Sequence, residues 1–110
     1  MPTHRHLGDI ELLVLSALMR LEDAYGVSIS REIERQGKRL LALGSVYAAL
    51  ERLESKGLVE SAMGAATPER GGRAKRHFRI TGAGLRELRT ARRALLRMWQ
   101  GVPLLQGGRA

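Results

Sequence analysis

Two groups of side chains in this sequence have the types and spacing needed to hold a polyanion. The first is Ser45, Tyr47, Ala48, Arg52 and Lys56, within the segment Gly44 to Gly57. Small or hydrogen-bonding residues come first and basic ones follow, on the side opposite Val46, Ala49, Leu50 and Leu53. On a helix, this order offers small polar groups to base edges in a major groove and cations to the flanking phosphates. Two alternatives stand beside this reading. Arg52 could pair with a neighbouring glutamate on the helix surface, and Ser45 could cap its own helix. The second group is Arg70, Arg73, Lys75 and Arg76, around the pair Gly71-Gly72. Guanidinium groups on a pliable loop suit phosphates or a narrow minor groove, the alternative being a solvated, mobile tip.

The charge is concentrated where these groups lie. The chain of 110 residues carries a formal net charge of +8. Through Glu69 there are 8 Lys/Arg and 10 Asp/Glu, whereas from Arg70 onward there are 11 Lys/Arg and a single acid, Glu87. Such a field attracts polyanions by counterion release, although a solvated basic helix would also carry it. Other chemistries have little support. With no cysteine, disulfides, thiolate metal sites and thiol nucleophiles are excluded. His4 and His6 sit in a terminus with no further donors, so no metal site is expected there. No phosphate-binding glycine motif and no acid–histidine constellation is evident, so neither an enzyme nor a cofactor is expected.

The elements that must position these groups follow from periodicity. Ile10, Leu13, Val14, Ala17, Leu18 and Leu21 recur at helical spacing, with Asp9 near the start where it suits the helix dipole. Leu12, Leu15 and Met19 add a second apolar strip, which predicts that part of this first helix meets another subunit. Asp23 is a possible cap for a brief second helix marked by Val27, Ile29 and Ile33 and ended by Gly37. The third helix is read over Gly44 to Gly57, closed by that last glycine of C-cap type. Leu58 to Met63 reads as a strand, Gly64 to Ala74 as a glycine-rich basic loop, and Lys75 to Thr81 as a second strand with Phe78 and Ile80 on one face. Thr81 then caps a last helix whose Leu88, Ala91, Leu95, Met98 and Val102 keep the spacing of a helix–helix seam, ended by Gly101 and Pro103. The fold class expected is mainly α with a small β-hairpin, a winged helix-turn-helix with an added C-terminal dimerisation helix. Its divisions are a flexible N-terminus (1–6), the winged helix-turn-helix domain (7–82), the dimerisation helix (83–102) and a tail (103–110).

Three segments resemble the PadR family of transcriptional regulators: Ala24-Tyr25-Gly26, the run Leu43 to Glu54 continued by Lys56-Gly57-Leu58-Val59, and Phe78 to Gly84. The resemblance runs from about Leu7 to about Gly101. It implies a bacterial winged-helix repressor that dimerises through its C-terminal and first helices, and it marks Tyr47 and Arg52 as positions that contact DNA. The family often has proline where this chain has Ala48, and a tyrosine or other large residue where it has His77. The single C-terminal helix implies the short branch of the family, in which any ligand must use the dimer interface. Trp99 is the candidate there for a small aromatic or hydrophobic effector, the alternative being interface packing. Phe78 and Tyr25 are expected to be core or turn residues.

The expected partners are therefore double-stranded DNA and a second copy of the chain, in the cytoplasm. No membrane is expected, since no apolar run is long enough to span one. A different class of function, a protein-interaction module docking its basic C-terminal half on an acidic partner, is permitted by the same fold.

Overall fold

The computed structural model describes residues 7–64 and 75–105. Helix α1 spans Asp9–Arg20, with acidic side chains in its first turn and Arg20 in its last, as the helix dipole favours. Helix α2 spans Gly26–Gly37 and stops at Lys38, a non-glycine residue in the left-handed region (φ 54). Helix α3 spans Leu43–Ser55. It ends in a paired motif in which the Leu58 N–H bonds the Leu53 carbonyl and the Gly57 N–H bonds that of Glu54. The reversal places Gly57 at φ 76, where a Cβ would be strained. Strands β1 (Val59–Met63) and β2 (Arg76–Ile80) pair antiparallel, with Val59 opposite Ile80 and Met63 opposite Arg76. Helix α4 spans Gly82–Trp99, and the Thr81 hydroxyl accepts from the Gly84 N–H at its head, as expected of that cap. A short 3-10 turn, Pro103–Leu105, follows.

The core lies where three helices and the hairpin meet. Leu15, Ile29, Leu50, Leu53 and Leu58 are wholly buried, with Val14, Val46 and Val59 beside them. Burial of each large apolar side chain stabilises the fold by about 1.5–3 kcal/mol. Phe78 closes this core from β2, while its neighbour Arg79 points outward, the alternation expected of a half-buried strand. The segment after α1 also joins the hairpin. The Phe78 N–H bonds the Ala24 carbonyl at 2.9 Å, and Tyr25 bridges His77, so the far edge of β2 is covered. Three helices followed by this hairpin form a winged helix-turn-helix, with α4 added behind it.

Several expectations are corrected. Leu15 does not join the outer strip of α1 with Leu12 and Met19. It is fully buried in the core of its own protomer and has no surface to offer a partner. Val102 does not continue the seam of α4, because the helix ends at Trp99 and the backbone turns to positive φ at Gly101. Helix α3 starts at Leu43 after Ala42, so Ser45 lies in its first turn and is not the cap. Asp23 does not cap α2 either. The helix opens after Tyr25, whose N–H donates to the Ser28 hydroxyl at 3.0 Å. Among the described residues, no helix is long and apolar enough to cross a membrane.

Candidate nucleic-acid interface

Helix α3 is divided sharply between its two sides. Val46, Ala49, Leu50 and Leu53 are at most 1% exposed and anchor it to the core. The outer side presents Tyr47, Ala48 and Arg52, with Ser45 half-buried in the first turn and Lys56 just past the last. The structure thus brings four of the five expected residues of this group onto α3 and sets the fifth, Lys56, at its C-cap. Tyr47 is not a free ring. Its far end lies against the backbone of Gly26 at the head of α2, so close that a Cβ there would be 2.3 Å from its Cζ and Oη. Only a glycine lets the two helices of the helix-turn-helix approach in this way.

The basic end of α3 is held by a residue that the reading of the sequence missed. Glu11 of α1 is 3% exposed. Its carboxylate accepts from the Gly8 N–H at 2.8 Å, from Arg52 Nε at 3.2 Å and from Lys56 Nζ at 3.1 Å to both oxygens. Burial works against ionisation of Glu11, but the Gly8 N–H, Lys56 and Arg52 outweigh it and hold the carboxyl below its ordinary range. Arg52 therefore has an ion-pair partner, as the alternative reading required, but on another helix and not on its own. The signal for Glu11 was present. It falls in register with Val14, Leu15 and Leu18, and an acid on an apolar stripe must find cations inside the fold.

A second buried acid ties α1 to α2. Glu32 accepts from Arg20 Nε at 2.8 Å and from Arg35. The Arg20 hydrogen bond lowers its pKa most, against the opposing effect of burial. At the surface, the Arg39 guanidinium beside Asp9 lowers the aspartate pKa and links the α2–α3 connector to the start of α1.

At the base of the hairpin, the cations are fixed by neighbours. Arg76 donates from Nε to Ser61 and from Nη2 to Glu54 of α3, each at 2.9 Å, and Ser61 donates to the other Glu54 oxygen at 2.7 Å. Lys75 Nζ lies 3.9 Å from the centre of the Tyr25 ring, a cation–π contact. His77 Nδ1 is 2.9 Å from Asp23 Oδ1. Glu60 and Arg79 pair across the strands. Arg76 is thus tied to α3 and Lys75 to Tyr25 at the head of α2, whereas Arg70 and Arg73, expected at the tip, lie outside the described residues.

On the opposite side, α4 covers little of itself. Gly84 is its one buried residue, against a background of exposed Leu95, Leu96, Met98 and Trp99. Leu12 and Met19 of α1 join Leu88, Leu95, Leu96 and Trp99 of α4 around an open groove of about 380 Å³. Arg20 and Arg92 also line it. Of the residues expected at a seam, Ala91 is half-buried and Met98 is 74% exposed, outside the groove. Among the described residues, no three His, Asp or Glu side chains gather to hold a metal ion.

Comparison with known proteins agrees with this fold. The model of the family described as "Transcriptional regulator PadR-like family" matches residues 14–90. The chain is similar to a PadR family transcription regulator from hypervirulent Clostridium difficile, with 25% identity and a TM-score of 0.73 over 91% of this chain and 100% of that one. It is also similar to a PadR family transcriptional regulator from Eggerthella lenta, at 29% identity and a TM-score of 0.71 over 91% of this chain and 83% of that one. A PadR-like transcriptional regulator from Bacillus cereus shares the fold at 24% identity, with a TM-score of 0.71 over 91% of this chain and 93% of that one. No functionally curated protein matches the sequence. The matched span takes in most of α1, the helix-turn-helix, the hairpin and the first half of α4, and the chain belongs to the PadR-like family of transcriptional regulators.

Proposed function

We propose that this chain is a sequence-specific DNA-binding repressor that acts in the cytoplasm as a homodimer on a palindromic operator. The observation that carries the reading is the outer face of α3. Tyr47, Ala48 and Arg52 stand exposed on a helix whose other side is locked in the core. Two such helices enter successive major grooves about one turn apart, and the hairpins hold flanking phosphates or minor groove. Phosphate contacts supply affinity that falls steeply with salt, while Ser45, Tyr47, Ala48 and Arg52 supply sequence preference. Bound there, the dimer blocks transcription.

The dimerisation helix of this account is α4, with residues 7–82 as the DNA-binding unit. Support comes from the exposed Leu95 and Trp99 and their continuity with Leu12 and Met19 of α1, an apolar surface too extended for a protomer that stays alone. The groove beside Trp99 is the place for a small aromatic or hydrophobic effector that releases the operator.

Fluorescence anisotropy with a duplex enriched from genomic DNA tests the reading. Arg52→Ala weakens binding to that duplex by about tenfold, within the range of one lost base contact. Parental affinity in the variant would refute the assignment of α3 as the reading helix.

A further inference from the structure

The contact between Glu11 and Arg52 places an acidic side chain directly behind the surface assigned to DNA. Arg52 uses Nε toward Glu11, and its side chain remains half exposed. Its terminal amino groups have no protein partner among the described residues. Those two groups make the forked contact to a guanine edge, and the fork is only as well aimed as its stem. The same carboxylate takes both of its oxygens to Lys56 Nζ. Glu11 is itself immobile, since it is buried and held by the Gly8 N–H in the first turn of α1.

We infer that Glu11 is the positioning residue for base readout: it aims the Arg52 fork into the groove and offsets one unit of the positive charge that this end of α3 would otherwise present to any phosphate. The inference rests on the reading that α3 faces DNA. Glu11 touches no base. Its effect is on the ratio of specific to non-specific binding, which it raises from both directions. With the carboxylate present, Arg52 keeps one orientation, and the cluster contributes one unit of positive charge less to sequence-independent attraction.

The test is Glu11→Gln in the full chain, titrated by anisotropy against the enriched duplex and against a random-sequence duplex over a salt series. The amide keeps the shape and removes the charge. Affinity for random DNA is expected to rise, and its salt dependence to steepen by a slope of up to about 0.9, the value for the one unit of charge that the amide uncovers. The ratio of operator to random affinity is expected to fall about tenfold. Mere loss of structure would lower both affinities together. An unchanged ratio, or an equal loss on both duplexes in protein that is folded by circular dichroism, overturns the inference. Arg52→Lys keeps Glu11 and the charge but removes the fork, so it provides the second measurement should Glu11→Gln not fold. It is expected to lose the discrimination while keeping the parental salt slope, and parental discrimination in it also overturns the inference. Equal affinity of the unaltered protein for both duplexes would instead show that the DNA reading itself had failed, and this inference with it.

Discussion

The ring of Tyr47 lies on the backbone of Gly26, where a methyl group would sit 2.3 Å from Cζ and from Oη. This single approach sets how α2 and α3 meet and where Tyr47 stands on the outer face. It also explains why glycine follows Tyr25 at the head of α2.

Gly26→Ala therefore acts through Tyr47. The methyl group displaces the far end of a side chain and not backbone, so the cost is about 1–2 kcal/mol, a fall in the thermal midpoint of roughly 5–10 °C. In a Tyr47→Ala background the same substitution should cost nothing, and thermal melts of the four proteins of the cycle check this.

Gly84 is the contrasting case. A Cβ there would meet the Leu58 carbonyl oxygen at 2.1 Å and Ile80 Cγ1 at 2.7 Å. Because the nearest obstacle is backbone, α4 must move off the hairpin. Gly84→Ala is expected to cost about 3 kcal/mol or more, read as a shift of the urea midpoint.

Acid should loosen the tie between α1 and α3. The folded-state pKa of Glu11 lies below its ordinary value of 4.5, so its contribution to stability is present above that value. It is lost as pH falls through the lower folded pKa. Urea midpoints should decline below about pH 4.5, and Glu11→Gln should decline less over the same window. Equal declines would place the acid sensitivity in Asp9 and Glu32, whose pKa values are lowered in the same direction.

The pairing surface can be tested alone. Leu95 is 41% exposed on α4, and Leu95→Glu puts a charge where the proposed partner helix packs. Sedimentation should show the parent near twice its chain mass of 12.1 kDa and the variant near that mass. Operator affinity should collapse in the variant, with far less effect on random DNA.

Much of this architecture was legible because short-range chemistry dictates it. The Thr81 cap, the Gly57 reversal and the alternation of Phe78 and Arg79 each depend on a few adjacent residues. The faces of α1 were harder. Apolar residues nearly encircle that helix, so periodicity could not tell that Leu15 faces its own core and Met19 does not. The exact start of α3 was not legible because no side chain caps it. Ser45 offered a cap that the backbone, already helical from Leu43, does not use. The contacts that organise the site were illegible for a different reason. Glu11 reaches Lys56 across 45 positions, and Arg76 reaches Glu54 across 22, distances over which only the folded chain brings charges together.

The central claim is that a pair of α3 helices reads a defined sequence, and selection of bound fragments from genomic DNA with the purified protein tests it most directly. Enrichment of an inverted repeat whose half-sites lie about 10 base pairs apart, centre to centre, is expected. Recovery of fragments with no shared sequence would contradict it.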